Sequence, residues 1–133
     1  MEIAKPPCLR GTIRLQHAVP TMNVEEPLIV WYDVNATMIY EREQLLLKFS
    51  FRPDNYHDPV FFENAVNEKT DEEKPHVREA QLFRTAKHEY VLYGCFVLTN
   101  VYGEEIDSWE MVGKFRGLLP KEIACWDCVD TIG

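Results

Sequence analysis

The chain has 133 residues, of which 46% are hydrophobic and 12% aromatic. That is enough for a packed core without a disulfide or a metal, it excludes global disorder, and it fits one domain over residues 1–133. The formal net charge is −8 and there is no basic run, so neither nucleic acid nor an anionic membrane is expected as a partner.

The opening stretch, MEIAKPPCLRG, has no apolar segment of signal-peptide length, and no later stretch is apolar for long enough to span a bilayer. A soluble intracellular protein is expected. Alternation with period two begins at Cys8. Leu9, Gly11, Ile13, Leu15 and His17 share one face, and Arg10, Thr12, Arg14 and Gln16 share the other. This predicts a half-buried strand that ends before Pro20. His17, on the apolar face, reads as a core histidine with its hydrogen bonds satisfied.

A second strand is predicted from about Leu28 to Tyr40. Leu28, Val30, Tyr32, Val34, Ala36, Met38 and Tyr40 form one face; Ile29, Trp31, Asp33, Asn35, Thr37 and Ile39 form the other. The tripeptide Asn35-Ala36-Thr37 matches a glycosylation sequon, which without a secretory signal reads as chance. After Glu-Arg-Glu-Gln, Leu45, Leu47, Phe49 and Phe51 alternate with Leu46, Lys48, Ser50 and Arg52, which predicts the return strand of a hairpin. A helix over 37–47 competes, because YEREQLLLK is rich in helix formers.

The turn cluster RPDNYHDP follows, and Asp58-Pro59 has the form of a helix start, with Asp as the cap and Pro at the first helical position. Phe61 with Ala65 and Phe62 with Val66 have helical spacing, so one short helix is predicted there. The charged stretch NEKTDEEKP reads as a solvated surface loop. HVREAQLFRTA, residues 76–86, fits helix or strand equally. EYVLYGCFVLTNVY is apolar on both faces, as expected for a strand inside a sheet. A turn around Gly103 then leads into EIDSWEMVGKF, with Trp109, Met111 and Phe115 on one face. A last strand is predicted from Ile123 to Val129. The sum is a mainly β chain: a compact antiparallel β-sandwich or partly open barrel of about six or seven strands with one short helix.

Little in the sequence looks like chemistry. Cys125 and Cys128 have C-x-x-C spacing, but a redox pair needs a helix after its first thiol and none fits here. A zinc site needs a second ligand pair, and Cys8, Cys95 and the histidines offer none at suitable spacing, although convergence in space stays open. The expected reading is a strand carrying two thiols on opposite faces, with no metal and no cofactor. His57 beside Asp58 is a poor acid–base pair, because Asp58 already serves as a cap. No phosphate-cradling loop, dinucleotide fingerprint, nucleophile elbow or metalloprotease motif is present. No catalytic residue is assigned.

The apolar residues on otherwise polar faces carry more information. Ile29, Trp31, Ile39 and Leu46 are costly to leave together in water. Either a second sheet or the short helix covers them, or they form a partner-binding surface and point to a non-enzymatic protein–protein interaction module, a small acidic subunit or adaptor that binds another protein or a second copy of itself. The alternative is a carrier of a small apolar ligand, with a cavity lined by Tyr32, Phe49, Trp109 and Phe115. An enzyme would have only His57 and the cysteines to draw on.

Overall fold

The structure is a computed structural model and describes residues 7–19, 22, 26–53, 57–66 and 74–119. Among the described residues, every stretch with regular alternation is a strand. The strands are β1 (Cys8–Val19), β2 (Leu28–Glu41), β3 (Gln44–Phe51), β4 (Val60–Ala65), β5 (His76–Ala86), β6 (Glu89–Thr99) and β7 (Glu105–Gly117). They form one antiparallel sheet in the order β4-β3-β2-β1-β7-β6-β5, curled into a half-barrel. The partly open barrel is thus the form adopted, and no second sheet faces it among the described residues.

The curl follows from contacts between strands that are far apart in the sheet. Phe49 of β3 and Phe96 of β6 are separated by three intervening strands, yet their ring centroids lie 5.1 Å apart. A flat sheet would hold them about 19 Å apart at roughly 4.8 Å per strand. Phe62 of β4 also meets Phe96, at 5.5 Å, and Phe51 of β3 meets Trp109 of β7, at 5.1 Å. The rings meet edge to face, the arrangement that the ring quadrupole favours. The core therefore fills the concave side, where Leu9, Ile13, Leu15, Met38, Leu92, Met111 and Phe115 join these rings. The opposite set of side chains forms the convex outer face.

Three sequence expectations resolve here. The predicted helix after Asp58 is instead the edge strand β4, and no helix is present among the described residues. Phe62 pairs across the ladder with Phe49 and turns inward, whereas Phe61 pairs with Ser50 and is 78% exposed. Partners across the sheet outweighed the helical spacing and the cap. The competing helix over 37–47 is absent as well. Thr37 to Glu41 complete β2, and Arg42 and Glu43, with φ of 53° and 64°, form the two-residue turn into β3. The ambiguous stretch 76–86 is the edge strand β5, with register shifts between Arg78 and Gln81 and between Arg84 and Ala86. The charged stretch from 67 to 73 and the expected strand from Ile123 to Val129, with Cys125 and Cys128, lie outside the described residues.

The two edge strands run in the same direction, since β4 is three antiparallel steps from β1 on one side and β5 is three steps away on the other. The chain thus leaves β4 at one end of the sheet and enters β5 at the other. No helix among the described residues is long and apolar enough to cross a membrane.

Candidate functional site

The alternation of β1, β2, β6 and β7 builds one row of outward side chains across the sheet. Trp31 lies opposite Gln16, Gln16 opposite Glu110, Glu110 opposite Cys95, and Cys95 opposite Arg78. Gln16 donates to the Glu110 carboxylate at 2.9 Å. Arg78 donates to both carboxylate oxygens of Glu105, at 3.3 and 3.4 Å, and to the Cys95 sulfur at 3.9 Å. The Arg78 guanidinium is held above its ordinary value, first by the Cys95 contact and then by the charge of Glu105, against desolvation.

Beside this row lies an open groove of about 640 Å³ lined by Gln16, Ala18, Ile29, Ile106, Ser108 and Glu110, together with Cys95, Glu105 and the His17–Asp107 pair. Its apolar walls are Ile29, 46% exposed, and Ile106, 49% exposed. Trp31 adjoins the groove on β2 and is 56% exposed. Its ring is held by Arg14, whose guanidinium carbon sits 5.6 Å from the ring centroid. Arg14 is fixed in turn by a two-pronged bond to Asp33, at 3.0 and 3.2 Å. The hydrogen bond from Arg14 holds the Asp33 carboxyl below the ordinary carboxylate range.

The four expected partner-binding residues fall into two groups. Ile29 and Trp31 sit together at the groove. Ile39 and Leu46 face each other across the β2–β3 ladder at the far end of the sheet, both half-buried. Trp31 and Ile39 are eight residues apart along β2, about 26 Å at roughly 3.3 Å per residue. Asp33, Asn35 and Thr37 lie between them on the same face. Ile106 was not among the expected residues. It belongs to the face of β7 opposite Trp109, and its exposure could have been read from that alternation.

His17 turns inward at the end of β1, stacks on Trp109 at 5.4 Å and lies 3.6 Å from Asp107. Cys95 lies against Arg78 on the outward row, and both it and His17 line the groove. His57 and Asp58 are exposed. Cys8 and Cys95 are free thiols, and no group of three or more metal-ligating side chains comes together among the described residues. Phe49, Trp109 and Phe115 are buried, and Tyr32 is packed against them in the concave core.

A comparison with family models, curated proteins and solved structures finds no match to this chain.

Proposed function

We propose that the protein is a non-enzymatic protein-binding module that seats another protein on its outer face at the groove beside Trp31. The observation that carries this reading is the position of Trp31. A sheet that packs Trp109 to 1% exposure leaves Trp31 more than half in water, braced by Arg14 and flanked by Ile29. Tryptophan is a frequent anchor at interfaces because it removes a large area from water at modest entropic cost, and arginine is enriched at such anchors as well. The groove adds a polar rim of Gln16, Ser108 and Glu110 around its apolar walls.

The test separates folding from association. Trp31→Ala should leave the urea midpoint of the chain nearly unchanged, because an exposed side chain contributes about 0.5 kcal/mol or less to folding. The same change should weaken association by about 2 kcal/mol or more, read by light scattering for self-association and by titration with a partner captured from native extract. Unchanged association in both Trp31→Ala and Ile106→Asp would remove the groove from the function.

A further inference from the structure

A second feature of the outer face lies about 20 Å from the groove, six residues back along β1 at roughly 3.3 Å each. Here Lys48, Thr37, Arg10 and Arg116 stand in one row on four adjacent strands. Arg10 and Arg116 are directly opposite each other, a pairing of like charges that destabilises a sheet. Lys114 is the diagonal neighbour of Arg10. Two cations of the row are paired, Arg116 with Glu89 at 3.0 Å and Lys48 with Glu63 at 3.5 Å, and Asp33 pairs with Arg14. Arg10 and Lys114 have no ion-pair partner among the described residues. In a chain of net charge −8, this is, among the described residues, an unneutralised local excess of positive charge.

The row borders a depression of about 300 Å³ lined by Arg10, Asn35, Thr37 and Lys48, with Gly11 and Ala36 between them. Each of its polar side chains can donate a hydrogen bond, and none is negative. The guanidinium offers a planar fork, the ammonium a point charge, and the amide and hydroxyl neutral donors, a set that matches the several oxygens of a tetrahedral anion. We propose that this depression is an oxyanion site that takes the phosphate group of a free phosphomonoester. Bound there, the anion supplies the countercharge that Arg10 lacks among the described residues. The site is independent of the groove at Trp31, and either can fail without the other.

The probe is inorganic phosphate, titrated into the full ¹⁵N-labelled chain, with chloride at matched ionic strength as the control. Saturable shifts are expected at the Arg10 Nε–H, the Asn35 side-chain amide and the backbone amides of β2 around Thr37. Arg10→Gln should weaken phosphate binding on the order of tenfold, the loss of one hydrogen bond to a charged group. Glu63→Gln should strengthen it several-fold, because it frees Lys48 from its competitor; a gain of this kind cannot come from misfolding. A non-saturating response, the same response to chloride, or equal affinity in Arg10→Gln would overturn the proposal. So would adsorption to phosphatidylserine vesicles without saturable phosphate binding, which would assign the patch to a membrane surface. A phosphomonoester such as O-phosphoserine binding at least as tightly as inorganic phosphate is the supporting outcome for the ligand class.

Discussion

Arg14 joins a charge to an aromatic ring on the outer face. Its guanidinium is bonded twice to Asp33 and lies against Trp31, so three residues on two strands hold one another in place. The carboxyl of Asp33 is held below its ordinary value in the folded chain, and therefore the pair favours folding at pH above the unfolded aspartate value. That contribution fades as pH falls through the lower folded value. An NMR titration should place the Asp33 midpoint below that of a free aspartate, and Arg14→Gln should move it upward. An unmoved midpoint would show that Arg14 does not set it. The Trp31 part of this arrangement was legible in the sequence, because an indole stood out on a face that turned polar. Arg14 was not, since a strand pattern gives its face but not the register that sets it opposite Asp33. Ile39 and Leu46 followed the same rule as Trp31 and lie at the other end of the sheet, because alternation reports the face of a residue and not its distance along the strand.

At the scale of the elements, turns decide where the alternation reverses. Arg42 and Glu43 both take left-handed backbone angles, the geometry of a tight hairpin turn that Asn and Gly fill at low cost. An Arg42→Asn, Glu43→Gly double variant should stabilise the chain by about 1 kcal/mol or more, read from the urea midpoint. No gain would mean that the turn relaxes in solution. The Asn100–Glu104 turn shows the favoured alternative. The Asn100 side-chain oxygen accepts from the amides of Tyr102 and Glu104, at 2.9 and 3.0 Å, and Gly103 takes φ of 79°. This difference explains what could be read of the fold. The β6–β7 hairpin carried Asn and Gly and was evident, whereas Arg-Glu carried no turn signal and left a helix as a competitor. β4 was misread because it is short, Phe61 with Ala65 and Phe62 with Val66 have helical spacing, and Asp58-Pro59 has the form of a helix start. Gly11 is a constraint of another kind. A Cβ there would fall 1.9 Å from the backbone oxygen of Lys114, so Gly11→Ala should cost about 1–3 kcal/mol by forcing β1 from β7. A loss below that range would show that the two backbones separate easily.

At the scale of the molecule, the sheet has two wings, β2-β3-β4 and β7-β6-β5, on either side of β1. No ladder joins β4 to β5 among the described residues, and they run parallel, so backbone hydrogen bonds do not close the barrel there. Side chains join the wings instead. Phe96 touches Phe49, Phe51 and Phe62 on one wing and Trp109 on its own, and is fully buried. Among the described residues, this curl leaves the convex face open at the groove and the basic depression, while the concave face is filled. If the rings hold the wings together, Phe96→Ala should cost about 3–5 kcal/mol, as removal of a core aromatic does. Phe61→Ala, on the exposed side of β4, should change stability by about 0.5 kcal/mol or less. Urea unfolding followed by far-UV circular dichroism measures both, and the slope of the transition adds a second readout. A reduced slope in Phe96→Ala would show the wings parting before the sheet melts, because less surface is then left to expose. Equal and small losses in the two variants would mean that the aromatic cluster does not hold the curl.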